Sequence, residues 1–150
     1  GDTMEIKLIE NNKKRFLELL LLADEQESMI DRYLERGSLF ALYNDDLKSV
    51  CVVTNEGDGV FELKSLATEP RYQRQGYGAA LVKYVLDYYQ GQCTTMLVGT
   101  GDSPLTIPFY ERCGFTVSHR IPNFFTDNYD HPMFEDGKQL IDMVYLRKDF

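Results

Sequence analysis

The sequence predicts an α/β protein in which a mixed β-sheet carries helices on both of its faces. Two amphipathic helical segments near the start precede three apolar, β-branched runs. These runs are separated by the turns "NDD" and "EGDG", a pattern typical of an antiparallel meander. Helical and strand-like patterns then alternate to the end of the chain, which favours a layered sheet-and-helix architecture. A length of 150 residues predicts one domain that spans residues 1–150.

The first half of the chain predicts one strand, two helices and the meander. "MEIKLI" (residues 4–9) alternates apolar and polar side chains, as a half-buried strand does. Apolar residues recur at helical spacing over residues 12–24, and a second helix is predicted at residues 27–36, before Gly37. The strands of the meander are "SLFALY", "KSVCVVTN" and "VFELKSLA".

The second half predicts two helices, three strands and one long loop. Residues 76–90 carry a wide apolar stripe, and "SPLTIPFYERCG" predicts a second, shorter helix. "TTMLVG", residues 115–121 and "LIDMVYLRK" are the predicted strands. Residues 122–138 show little periodicity, and we expect a packed loop because several aromatic residues lie in it.

Charge and composition exclude several classes of function. The net charge of −8 opposes nucleic-acid binding, which needs a basic face to neutralise phosphates, and it also disfavours anionic membrane surfaces. No apolar run approaches the roughly 18 residues needed to cross a bilayer. The three cysteines show no metal-ligand spacing, which favours reduced thiols in a cytoplasmic protein without a metal site. An acidic protein of this kind suits a cationic partner.

The cluster "QRQGYGA" (residues 73–79) follows a strand and a turn and opens a helix. Unpaired amides at a helix start favour an anion, and glycines let phosphate oxygens approach the backbone. Arg71 and Arg74 would add charge-assisted contacts. The cluster has neither the third glycine of a dinucleotide fingerprint nor the Gly-Lys-Ser/Thr of a P-loop. From these residues alone, an anion site and a plain helix start with packing glycines both stay open.

Two motifs together resemble the GNAT superfamily of N-acetyltransferases. The first, Gln/Arg-x-x-Gly-x-Gly/Ala after a strand and an x-Pro turn, is present in "LKSLATEPRYQRQGYGAAL". The second, an aromatic-Tyr-x-x-x-Gly-Phe segment, is present in "PFYERCGF". The resemblance covers essentially the whole chain. The chain is similar to uncharacterised bacterial members of the superfamily. It implies the GNAT fold, a mostly antiparallel sheet with one splayed parallel strand pair and helices on both faces.

The resemblance also implies acetyl-CoA as the cosubstrate. Backbone groups of one strand would pair with the pantetheine arm, and the amides of the turn would hold the pyrophosphate. The implied cofactor-binding residues are Leu66, Ala67, Thr68, Arg71, Gln73, Arg74, Gln75, Gly76, Tyr77, Gly78, Ala79, Ser103 and Tyr110. Ser103 stands where many relatives carry an asparagine, and a helix cap is its alternative role.

Two residues are implied to be catalytic. Tyr110 falls on the family's tyrosine, which donates a proton to the departing CoA thiolate; a core aromatic is the alternative. Glu62 lies where several members place a general base that takes the ammonium proton directly or through water, and a solvated carboxylate is the alternative. Strand alternation would put Glu62, Lys64 and Leu66 on one face.

The long loop is the predicted acceptor side, because in relatives this segment lines that part of the cleft. Asp127, Tyr129 and Asp130 would bind a cationic amine through ion pairing and cation–π contact, and a solvated acidic loop is the alternative. The expected activity is direct transfer of acetyl from acetyl-CoA to a primary amine of a small molecule or peptide. A non-catalytic acyl-CoA-binding module and O-acyl transfer remain alternatives. Dimers are frequent in the family, so a homodimer is one expected state, although the sequence identifies no interface.

Overall fold

The computed structural model describes residues 4–150 and confirms the predicted fold class. In chain order its elements are β1 (Glu5–Ile9), α1 (Leu17–Ala23), α2 (Glu27–Ile30), β2 (Ser38–Asn44), β3 (Asp46–Gly57), β4 (Val60–Thr68), α3 (Tyr77–Tyr89), β5 (Thr95–Gly101), α4 (Thr106–Arg112), β6 (Thr116–Ile121), α5 (Phe124–Asn128), β7 (Met133–Glu135), β8 (Lys138–Leu140) and β9 (Met143–Asp149). The main sheet has seven strands in the order β1-β2-β3-β4-β5-β9-β6, and β7 pairs with β8 in a separate ribbon. None of the helices within residues 4–150 is long and apolar enough to cross a membrane.

The main sheet has a hydrophobic core on each face. On one face, Leu81, Val82 and Val85 of α3 pack with residues of the central strands. On the other, Leu20 of α1 and Ile30 of α2 are fully buried against the same strands. The helices therefore cover both faces, as the amphipathic patterns predict.

The parallel pairing of β4 with β5 ends early, at Leu63 opposite Val98, although both strands continue beyond these residues. At the same place β4 carries a bulge against β3, because Ser65 pairs with Val52 and Leu63 pairs with Val53. Lys64 is thus one extra residue on β4. Beyond this point the two strands leave a gap in the sheet, where the backbone edge of β4 that faces β5 has no strand partner among residues 4–150.

The bulge makes the predicted alternation along β4 wrong. Leu66 packs with Leu63 in the core under α3, while Ala67 belongs to the core under α1 and α2. Since alternation holds on each side of the extra Lys64 but shifts phase across it, Glu62 and Leu66 point to opposite faces.

The two N-terminal helices are shorter than predicted. The first is split into a 3₁₀ turn, Lys13–Phe16, and α1, and the second continues past α2 as successive turns over residues 31–36. The ammonium of the buried Lys13 donates to the carbonyls of Leu34 and Gly37, at 3.3 and 2.6 Å. Lys13 thus holds the end of these turns against the 3₁₀ turn of the first helical segment.

The predicted loop 122–138 contains α5, β7 and the start of β8, and the last strand begins at Met143. Phe125 and Leu140 belong to a small separate core, so the expected packing is present in part. Phe134, by contrast, is 58% exposed. Elements of three to five residues contain too few repeats for a period to be visible in the sequence, which is why they were not predicted.

Candidate active site

The turn before α3 presents backbone amides that have no backbone partner. The first hydrogen bond of the helix runs from the Ala80 amide to the Gly76 carbonyl, at 3.0 Å. Within the described chain, no amide of residues 74–79 donates to a backbone carbonyl. Gly76 has a φ of 89°, which favours glycine, and residues 73–76 are exposed. An exposed helix start with unpaired amides and a positive dipole suits a phosphate group.

Predicted cofactor residues brace this turn with their side chains. The Gln73 amide nitrogen donates to the Thr68 carbonyl at 3.1 Å, and that of Gln75 donates to the Arg71 carbonyl at 3.4 Å. The hydroxyl of Tyr77 accepts a hydrogen bond from the side-chain amide of Asn44, at 3.2 Å. Bonds of this kind leave the backbone amides of the turn available to a ligand.

A cluster around Asp46, the first residue of β3, fixes the start of the turn. Its carboxylate accepts from the Tyr72 hydroxyl at 2.7 Å and from the Lys48 ammonium at 2.5 Å. Lys48 and Tyr72, in that order of effect, lower the pKa of Asp46 to about 2. The guanidinium of Arg71 lies 3.4 Å from the same carboxylate, so this predicted phosphate ligand contacts Asp46 instead. Arg74 is exposed and has a φ of 64°.

Gly78 joins the turn to the gap beside β4. A Cβ atom at Gly78 would lie 3.5 Å from the Thr68 hydroxyl and 3.9 Å from the Leu66 side chain. Leu66, Ala67 and Thr68, the residues predicted to pair with a ligand, all lie on β4 beyond the last pair with β5. The unpaired amides and the unpaired strand edge are therefore continuous.

A cavity of about 340 Å³ lies at the inner end of this gap. Its walls are formed by the separated parts of β4 and β5, the end of α1 with the residues that follow it, α4, the α5–β8 segment and the start of β9. Polar residues on its wall are Asp24, Glu25, Lys64, Ser65, Thr100, Thr106, Tyr110, Tyr129 and Glu135. The fold thus brings residues from both ends of the chain to one place.

Tyr110 of α4 is only 8% exposed and lies on the cavity wall. Its ring packs edge-on against Phe109 and Phe115, with centroids 5.1 and 5.8 Å away. Burial raises the pKa of the Tyr110 hydroxyl above its usual value. The hydroxyl therefore stays protonated at neutral pH and is available as a proton donor.

Glu62 is buried beside the cavity, and its carboxylate is not on the cavity wall. The carboxylate accepts a hydrogen bond from the Tyr145 hydroxyl at 3.1 Å and lies 3.2 Å from the ammonium of Lys64. Burial and the negative charge of Glu62 raise the pKa of Tyr145. The next residue, Leu63, lines the cavity, so Glu62 is adjacent in sequence to a residue of the cavity wall.

Asp24, immediately after α1, is a wall residue that the sequence analysis missed. The hydroxyls of Tyr129 and Tyr33 donate to its two carboxylate oxygens, at 2.7 and 3.3 Å. Burial raises the pKa of this carboxyl, and the hydrogen bond from Tyr129 opposes that shift. Asp24 and Tyr129 are 105 positions apart, so no local pattern in the sequence could have paired them.

The predicted acceptor residues differ in position. Tyr129 lines the cavity, whereas Asp127 and Asp130 are exposed and lie outside its wall. The Asp130 carboxylate contacts the neighbouring ring of His131, at 2.6 Å. Ser103 is buried, and its hydroxyl accepts from the Leu105 amide at 3.1 Å, a contact that shapes the turn leading into α4.

Three comparisons with known proteins agree with this geometry. A sequence model described as the acetyltransferase (GNAT) family matches residues 7–115. The uncharacterised N-acetyltransferase YvbK of Bacillus subtilis is 32% identical over 149 residues, which are 97% of this chain and 96% of that protein. A GNAT family acetyltransferase from Elizabethkingia anophelis, crystallised with acetyl-CoA bound, is 30% identical with a TM-score of 0.93, and the match covers 100% of both chains. A Bacillus subtilis acetyltransferase in complex with CoA is 32% identical with a TM-score of 0.89, over 99% of each chain.

Proposed function

The chain belongs to the GNAT acetyltransferase family and uses acetyl-CoA as its cosubstrate, and we propose that it transfers the acetyl group to the primary amine of a small molecule or peptide. We further propose that residues 1–150 form one domain with this activity. The observation that carries the proposal is the cavity at the splayed strands, whose wall holds both a protonated tyrosine and a carboxylate.

The residues of the gap fit acetyl-CoA. The unpaired amides of residues 74–79 can donate to a diphosphate, and the position of Gly78 leaves room beside the turn. The edge of β4 beyond Leu63 offers donors and acceptors to the two amides of a pantetheine arm. When bound, acetyl-CoA supplies the activated acetyl group as a thioester.

Tyr110 acts as the proton donor in this proposal. A thiolate leaving group is stabilised when a nearby donor supplies a proton, and the raised pKa keeps the phenol protonated at neutral pH. Its ring packs edge-on against two phenylalanines, so the hydroxyl has a defined position on the cavity wall.

A primary amine is an ammonium ion at neutral pH and must lose a proton before its nitrogen can attack. Glu62 is the sequence-based candidate for the base. Because its carboxylate contacts Tyr145 and Lys64 and lies off the wall, Glu62 would act through an intervening hydroxyl or water. Tyr129 would contribute to the acceptor site directly.

The experiment that tests this function is a panel of amines assayed for CoA release, with mass spectrometry of the products. We expect at least one amine to gain a single acetyl group at a rate far above thioester hydrolysis without amine. A panel that includes monoamines, polyamines, amino acids and peptides, and that yields only hydrolysis, would contradict the proposal. Hydroxyl compounds of matched shape serve as controls for O-acyl transfer.

A further inference from the structure

We propose that Asp24 binds the ammonium group of the acceptor and takes its proton, and that the cavity selects amines that carry an apolar body. This inference rests on the proposed function, since it concerns the acceptor half of the same site. It assigns the base to a residue other than Glu62.

The first observation is that Asp24 is a fixed carboxylate on the wall of the cavity. Two tyrosine hydroxyls, from Tyr33 and Tyr129, each donate to a different oxygen of the carboxylate. A carboxylate has about four lone-pair sites, and with the backbone amide of Gln26 as a third donor about one site remains for a ligand. Because the hydroxyls come from two different segments of the fold, they determine the orientation of the carboxylate before any ligand arrives.

The second observation is the hydroxyl of Ser65, which also lies on this wall. Ser65 is 5% exposed, and its hydroxyl lies beside that of Tyr33, with which it interacts although it meets no strict hydrogen-bond geometry within residues 4–150. Buried polar groups are nearly always paired, and the Tyr33 hydroxyl, which donates to Asp24, is the group within reach of Ser65. Ser65 therefore helps to position Tyr33 and, through it, the Asp24 carboxylate, which would accept from one of the three N–H donors of an ammonium.

The charges around Asp24 favour a cation over an anion. Glu25 and Glu135 also line the cavity, and the charge of Lys64, the cation on the wall, is offset by Glu62 at 3.2 Å. Arg32 is a cation near Asp24, but its guanidinium donates a hydrogen bond to the side-chain oxygen of Asn128 at 3.4 Å. His131 lies 3.9 Å from Glu25. A substrate that carries its own carboxylate would therefore be repelled from this end.

The rest of the wall is apolar. Leu22 and Phe134 line the cavity and are 52% and 58% exposed, which places two large apolar side chains beside its opening. Phe125 and Met133 lie deeper in the wall. An acceptor with a hydrocarbon or aromatic body would bury this surface, whereas a second ammonium group would lose its hydration against it.

One N–H bond of the ammonium breaks, its proton moves to a carboxylate oxygen of Asp24, and the electron pair stays on nitrogen as the lone pair needed for attack. Burial raises the pKa of Asp24 and so narrows the gap to the pKa of the amine, which makes the transfer easier than to an exposed carboxylate. Asp24 can release the proton to water because the cavity is open.

The test compares 2-phenylethylamine with L-phenylalanine, which has the same apolar body and an added carboxylate. For the wild-type protein we expect kcat/KM for the amine to exceed that for the amino acid by about tenfold or more. Asp24→Asn should lower kcat/KM for phenylethylamine by about 100-fold and remove the acidic limb of the pH–rate profile. The thermal stabilisation by acetyl-CoA should remain.

Three further variants separate the possible roles. Ser65→Ala should raise KM several-fold with little change in kcat. Asp58→Asn is the matched control, because Asp58 is an exposed acid in the β3–β4 turn with a φ of 56° that asparagine tolerates; it should match the wild type. Glu62→Gln tests the competing base. An acidic limb lost in Glu62→Gln and kept in Asp24→Asn would overturn the assignment.

A readout that does not depend on turnover completes the test. Calorimetric titration of phenylethylamine into the protein saturated with CoA should give heat for the wild type and none for Asp24→Asn. If no amine is acetylated but this binding difference is present, the proposed function fails while the ammonium site stands. Equal binding and equal rates in wild type and Asp24→Asn would overturn the site itself.

Discussion

The cradle formed by residues 73–79 and the cavity at the splayed strands are built in different ways. The cradle is one continuous run that offers backbone amides and uses side chains such as Gln73 and Tyr77 for bracing. The cavity takes its polar side chains from distant segments, with Asp24 near the start of the chain and Tyr129 near its end. A site made of backbone follows from a local pattern, whereas a site made of side chains follows from topology.

The two regions also hold carboxylates in opposite electrostatic states. Asp46 beside the cradle is in contact with Lys48 and Tyr72, which lower its pKa to about 2. The partly buried Asp24 has a raised pKa because its surroundings disfavour the charged form. A carboxylate of the first kind stabilises structure, and one of the second kind is suited to exchanging a proton.

The largest expected effect is at Tyr110, where the two regions meet. Tyr110→Phe should lower kcat by about 100-fold or more because the proton donor is lost. The affinity for acetyl-CoA should stay within about twofold, since the cradle binds through its backbone. Steady-state kinetics and calorimetry measure the two quantities. A kcat near the wild-type value would remove the proton-donor role.

The second prediction tests the cradle by its backbone. Gly76→Val places a β-branched residue at a φ of 89°, so the turn should rearrange and the affinity for acetyl-CoA should fall by about tenfold. Gly57→Val is the matched control, because Gly57 has a φ of 92° and also has nothing within 4 Å of its Cβ position. The control should lose stability yet keep the thermal shift caused by acetyl-CoA. Equal loss of that shift in both variants would show that general strain, and not the cradle, is responsible.

The third prediction concerns the pH dependence of stability. The folded pKa of Asp24 lies above its usual 3.8. Its contribution to the free energy of unfolding is therefore fully present below pH 3.8 and is lost as pH rises through the folded pKa. The folded pKa of Asp46 is about 2, so its contribution is present above 3.8 and is lost as pH falls towards 2. Urea unfolding across this pH range gives the free energy of unfolding of Asp24→Asn and of Asp46→Asn, each relative to the wild type. With rising pH, these two differences should change in opposite directions. Parallel slopes would contradict the distinction between the two carboxylates.

The smallest expected effect is at the exposed acids of the long loop. Asp127→Asn and Asp130→Asn should raise KM for a cationic amine by no more than about twofold, and the rise should vanish in about 1 M salt, where the Debye length is near 3 Å. Kinetics at low and high salt measure this. A larger rise that resists salt would mean that these two carboxylates contact the acceptor directly.

These contrasts show how far the sequence could predict the molecule. The meander, α3 and the cradle depend on local periodicity and on glycines, so they were predicted at nearly their observed positions. The bulge at Lys64 was not, because one extra residue in an apolar strand leaves no compositional mark. Asp24 was missed for a different reason: its role depends on tyrosines that the fold brings to it. The short elements of the predicted loop were too brief to show a period.

The early end of the β4–β5 ladder has a mechanical consequence. Within residues 4–150, the strands β1 to β4 and the strands β5, β9 and β6 are two half-sheets, joined by the short ladder from Val60 to Leu63 on β4 and by amides that bond to Gly59 just before it. A linear ligand laid along the open seam would act as a temporary extra strand and tie the halves to each other. The proposed catalytic residues Tyr110 and Asp24 line the cavity at this opening, so a bound ligand would complete the rigidity of their arrangement.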